Sequence, residues 1–143
     1  MEHGRNIAGL LARVAVGIVL IMHGWQKFFD YGIAGTSASF VKMGVPLPSV
    51  SAVFAATVEL VGGAALIVGI ALPVVGLLIA IDMAGAYIFG TSGALIAPGG
   101  GQLELVLLVG GLLAGFAGGA YSLDRFLFRA KEKDAVTLEP AAA

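Results

Sequence analysis

Four stretches of almost uninterrupted apolar sequence constrain this chain more than anything else in it. They run approximately from Ile7 to Phe29, Val50 to Ala71, Pro73 to Phe89 and Gln102 to Leu123. A helix needs about 20 mainly apolar residues to cross the hydrocarbon core of a bilayer. The runs therefore predict an all-α integral membrane protein, a four-helix transmembrane bundle. Its residues are 59% hydrophobic and only 12% charged, against ~25% charged in soluble domains, and the mean hydropathy is +0.99. A soluble domain of this length would need far more polar surface.

The connections between the runs are uneven. Leu72-Pro73 makes the second link very tight, which predicts an antiparallel hairpin, with Pro73 in the first turn of its helix where a missing N–H does no harm. The first link is longer and carries Thr36, Phe40, Lys42 and Met43 before Pro46 and Pro48. Thr36 is placed to cap a short interfacial helix, with Phe40 and Met43 towards lipid and Lys42 towards water. The third link, Gly90 to Gly101, is rich in glycine and contains Pro98, which predicts a loop or short lid. Gly99-Gly100-Gly101 is no phosphate loop, since no strand precedes it and no lysine follows.

Orientation follows from the positive residues. Arg125, Arg129, Lys131 and Lys133 follow the last run and Arg5 precedes the first, whereas the opposite side has only Lys27 and Lys42. Positive residues favour the cytoplasmic side, so both termini are expected inside, in a multi-pass protein of the cytoplasmic (inner or plasma) membrane. Residues 1–128 form the membrane domain. Residues 129–143 turn to Ala, Thr, Glu and Pro and read as a disordered cytoplasmic tail. Arg13 interrupts the first apolar core and no small-residue cleavage site closes it, so the first span is expected to be retained rather than cleaved as a signal peptide.

Isolated charges inside the runs mark the candidate site. Glu59, Asp82 and Glu104 belong to the last three runs, while Arg13, His23 and Lys27 all belong to the first, and no Lys, Arg or His lies between Lys42 and Arg125. An ionisable group at the bilayer centre costs roughly 2.5–3.5 kcal/mol on insertion scales and is a functional candidate by default. Arg13 and Lys27 return to within ~40° of each other around a helix, and His23 and Lys27 are one turn apart. Gly17 and Gly24 share that stripe, and Glu104 heads a row through Gly111, Gly115 and Gly119, a small-residue pattern suited to close helix packing. The three acids are thus expected to meet the basic face of the first helix in a funnel. Lys27 and Glu104 would sit at its outer mouth, and His23, Glu59 and Asp82 on the order of 9–14 Å in. Arg13 falls towards the inner side, within reach of a mid-depth carboxylate. Full ionisation would leave one negative charge unless His23 carries a proton.

Each residue also has a plainer reading. The ion pairs can simply lock helices together, and His23 can be a hydrogen-bonding residue. A bis-histidine haem is excluded, because His3 lies in the terminal segment and no third histidine exists. His23, Glu59 and Asp82 could bind a divalent ion by chemistry alone, but no repeated ligand spacing supports a metal site. Trp25, Phe28, Phe29 and Tyr31 fit an interfacial aromatic belt. Trp25, Gln26 and Phe28 could equally border a flat apolar ligand such as a quinone ring. The absence of cysteine excludes disulfides, thiolate metal sites and dithiol exchange, and a net charge of −1 gives no reason to expect a nucleic-acid partner.

Several short motifs occur together and in order. They are Arg13 with Met22-His23-Gly24-Trp25-Gln26-Lys27, Gly44-Val45-Pro46-Leu47-Pro48, Glu59-Leu60-Val61-Gly62-Gly63, Ile81-Asp82-Met83, Glu104, and Tyr121-Ser122-Leu123-Asp124. On these the chain, from about Ile7 to Leu127, resembles the DoxX family of small bacterial membrane proteins. The resemblance implies a four-helix membrane bundle linked to quinone-dependent sulfur oxidation or to redox and oxidative-stress assemblies. It makes quinone the expected cofactor or ligand, and the bilayer, other subunits or further copies of the chain the expected partners. In that reading His23 and Lys27 bond quinone carbonyls while Glu59 or Asp82 supplies protons. Two alternatives stay open: a structural anchor for soluble partners, and an oligomeric path for protons or a small solute with Arg13 as inner gate.

Overall fold

The protein is seen in a computed structural model that describes residues 2–91, 95, 99–116 and 122–123, with only the backbone for Glu2, His3 and Arg5. The basic residues Arg125, Arg129, Lys131 and Lys133, the tail from 129 onwards, Pro98 and Gly119 lie outside the described residues, as does the part of the fourth run between Phe116 and Ser122.

Every regular element among the described residues is helical. Helix α1 (Glu2–Trp25) continues into a π-helical turn, Gln26–Asp30, and α2 (Gly32–Met43) follows at once. A second long rod is made of α3 (Pro48–Thr57), a π-helical turn Val58–Gly62, and α4 (Gly63–Val68). Helix α5 (Leu72–Gly90) and helix α6 (Gln102–Phe116) complete the order. Three segments, Asn6–Asp30, Pro48–Val68 and Leu72–Gly90, are long and apolar enough to cross a membrane, whereas Gln102–Phe116 is a shorter apolar helix. At 1.5 Å per residue the described part of α6 rises ~22 Å, less than the ~30 Å hydrocarbon core.

The turn between the second rod and α5 is as tight as Leu72-Pro73 predicts. Gly69 (φ 82°) ends α4, Ala71 (φ 49°) takes the left-handed conformation, and Pro73 stands in the first turn of α5. Between α2 and α3, Gly44 (φ 74°) and Leu47 (φ 47°) make the reversal, with Pro48 opening α3. Thr36 corrects the expected cap. The helix starts four residues earlier, at Gly32, so Thr36 lies inside it and is buried.

Small residues set the packing. A Cβ on Gly17 would come within 2.7 Å of the Gly63 carbonyl oxygen, so α1 and α4 touch backbone to backbone. A Cβ on Gly115 would lie 2.7 Å from the Leu72 oxygen, and the same closeness holds α5 against α6. Helix α2 packs on α3, and α1 also meets α6. Leu20, Leu66, Ile79 and Leu107 fill the centre. Leu11, Ile18, Val61, Val106 and Leu113 are exposed on the outside, the arrangement expected when hydrocarbon rather than water is the solvent.

Candidate functional site

The site begins with an ion pair between two irregular turns. Lys27 lies in the π turn that ends α1, and Glu59 in the π turn between α3 and α4. Lys27 Nζ donates to Glu59 Oε1 at 2.9 Å and to Oε2 at 2.6 Å, with the Lys27 side chain 19% and the Glu59 side chain 5% exposed. A π turn widens the helix and disturbs its carbonyl ladder, and such turns recur at functional sites. The Lys27 carbonyl accepts a hydrogen bond from Thr36 Oγ1 at 3.2 Å. Thr36 therefore ties α2 to the turn that carries Lys27, a role different from the cap that its position suggests. Two of the three ammonium protons of Lys27 go to Glu59, and the third has no partner among the described residues.

This pair faces a cavity of about 390 Å³, within the ~300–1,000 Å³ of small-molecule sites. Asp82 from α5 and Glu104 from the first turn of α6 also line it. Asp82 Oδ2 and Glu104 Oε2 are buried without a hydrogen-bond partner among the described residues. The walls are apolar, with Phe40, Met43 and Val45 from α2 and its turn, Phe54 from α3, and Phe89 from α5. Four of the six polar residues expected to cluster thus share one cavity: Lys27, Glu59, Asp82 and Glu104.

The other two do not line it. His23 is half-buried one turn before Lys27 and lies within electrostatic reach of Glu59. Arg13 is 2% exposed and sits elsewhere. A Cβ on Gly69 would be 2.8 Å from Arg13 Nη1 and 2.9 Å from Ser122 Cα, so the guanidinium occupies the C-terminal end of α4, where a helix dipole favours a cation. Fourteen residues of helix rise, ~21 Å, separate it from Lys27, too far for a shared carboxylate. The expected separation of mouth and floor is also corrected in part, because Lys27 reaches Glu59 directly and their charged ends meet at one level.

Trp25, Gln26 and Phe28 do not line this cavity either. Trp25 and Phe29 are exposed, with ring centroids 4.2 Å apart. Phe40 and Met43, expected towards lipid, contribute to the cavity wall, and Met43 is also exposed on the outside. Folding α2 back onto α3 causes the exchange: the aromatic edge that matters comes from α2, α3 and α5 rather than from the end of α1. The turn Gly44-Val45-Pro46-Leu47-Pro48 was the available signal, because a reversal there must lay α2 against α3. Lys42 is exposed and away from the cavity. No group of three His, Cys, Asp or Glu among the described residues stands close enough to hold a metal ion.

These features define an all-helical membrane protein with a largely buried ion pair facing an apolar cavity. The chain belongs to the DoxX family, whose model matches residues 8–92. That match spans α1 to α5 and includes Lys27, Glu59 and Asp82, while Glu104 lies beyond it. A protein of Bacillus subtilis (strain 168) named "Putative oxidoreductase CatD" is 34% identical over 140 residues, which covers 96% of this chain and 99% of that protein. No solved structure matches the chain.

Proposed function

We propose that this chain is a membrane subunit of a redox assembly and that its cavity binds a quinone. The carrying observation is the Lys27–Glu59 pair at an apolar cavity of about 390 Å³. Glu59 orients the ammonium and leaves one N–H for a ligand oxygen, which suits a quinone carbonyl. Phe40, Phe54 and Phe89 offer ring faces and edges to a flat apolar ring. The oxidoreductase name of the Bacillus subtilis relative agrees with a redox role. When bound, a quinone supplies two-electron acceptor chemistry; this chain's part is to hold and orient it and to keep water from it.

In this proposal α6 is the fourth crossing helix, α2 lies at the outer interface, and both termini are cytoplasmic. The cavity then opens near the outer leaflet, where membrane quinones can enter sideways from lipid.

The test is equilibrium binding of a decyl-substituted benzoquinone to the protein in lipid nanodiscs. Gly85 lines the cavity, and a Cβ built there meets nothing within 4 Å. Gly85→Leu therefore fills the cavity while sparing the helix contacts. Saturable binding to the wild type, lost in Gly85→Leu, supports the reading. Equal, unsaturable partitioning into both would leave the ion pair as a helix lock in a structural anchor.

A further inference from the structure

The three acids of the cavity are not equivalent. Glu59 receives two bonds from Lys27 and is thereby neutralised. Asp82 is 8% exposed, lines the cavity, and has Oδ2 buried with no partner among the described residues. Glu104 lines the same cavity and also has Oε2 buried without a partner among the described residues, but the residue as a whole is only half-buried. The surrounding elements offer these two nothing positive of their own. Helix α1 brings His23 and Lys27, α2 brings only the exposed Lys42, and α3 to α6 carry no Lys, Arg or His. Tyr87, the other titratable group on α5, packs against Gly101, and Arg13 stands beside Gly69. Among the described residues, one lysine therefore faces the three carboxyls that line the cavity. Buried charges persist only when paired, and the pairing is complete once Glu59 has taken Lys27.

We propose that Asp82 is the proton-carrying group of the site, with Glu59 fixed as the counter-ion of Lys27. This rests on the quinone reading and divides the labour within it. A carboxylate only accepts hydrogen bonds, whereas a carboxylic acid also donates one. Asp82 thus presents an O–H donor to the cavity, and Glu59 presents none.

Infrared spectroscopy of the full chain in nanodiscs, at neutral pH and without quinone, tests the assignment. With ¹³C-aspartate the wild type should show a protonated carboxyl C=O band that shifts with the label and disappears in Asp82→Asn. With ¹³C-glutamate no protonated carboxyl band should be lost in Glu59→Gln, because Glu59 is held as the carboxylate partner of Lys27. Absence of a protonated aspartate band, or a protonated glutamate band that disappears in Glu59→Gln, overturns the proposal. The labelled wild type decides the aspartate even if Asp82→Asn fails to fold, since Asp30, Asp124 and Asp134 lie at or beyond the ends of the apolar runs. Because no quinone is present, failure of quinone binding sinks the functional reading and leaves the bands unchanged.

Discussion

Lys27→Met is the most informative single change for stability. It leaves Glu59, whose side chain is 5% exposed, without the ammonium that donates to both its oxygens. Removing one partner of a buried pair costs about 3–5 kcal/mol, mostly as the penalty of the charge left behind. Lys27 is itself 19% exposed, so part of the attraction is screened and the lower end, about 3 kcal/mol, is expected. That corresponds to a roughly 150-fold shift in the folding equilibrium. Glu59→Gln should cost less, about 1–3 kcal/mol, because the stranded lysine can turn towards the interface. The double variant strands no charge and should lose only about 1–2 kcal/mol, well below the sum of the singles. Reversible unfolding in bicelles, read as a double-mutant cycle, gives the coupling directly. Additive losses, or a Lys27→Met protein as stable as wild type, would refute a buried and mutually satisfied pair.

Four further changes separate packing from site. Gly24→Ala should destabilise by about 1–3 kcal/mol, because a Cβ there would stand 2.5 Å from the Leu60 amide nitrogen; Gly9→Ala, with nothing within 4 Å, should instead gain about 0.5–1 kcal/mol, both read from thermal unfolding in detergent. Arg13→Met should cost about 1–2 kcal/mol of stability at the end of α4 and leave the quinone dissociation constant within about twofold, a comparison made by calorimetry in nanodiscs. Thr36→Val should remove the bond to the Lys27 carbonyl at a cost of about 1 kcal/mol, visible as faster amide exchange in the Gln26–Asp30 turn.

Much of this architecture could be read from residue order alone. The first three apolar runs marked the long helices to within a few residues, because a membrane-crossing helix declares itself by length and composition. The meeting of Lys27 with Glu59 followed from charge scarcity: few cations were available and isolated acids seek one. What the sequence could not show was the π turn. One extra residue in a turn shifts every later side chain around the axis, so regular helical angles misplace residues beyond it. Arg13 and Lys27 looked like one stripe by angle, yet ~21 Å of rise puts them at different ends. Thr36 was misread because a capping residue type inside a helix is revealed only by its tertiary partner. Phe40 and Met43 were assigned to lipid alone because the cavity they line is completed by α3 and α5, which come from elsewhere in the chain.

The central claim is that the cavity faced by Lys27, Glu59, Asp82 and Glu104 receives the ligand. Photolabelling with an azido-benzoquinone in native-like bilayers, followed by mass-spectrometric mapping, addresses it most directly. The account predicts saturable labels on Phe40, Met43, Phe54 or Phe89, competed away by unlabelled quinone. Labels scattered over outward residues such as Leu11, Ile18 and Val106, with no competition, would contradict it.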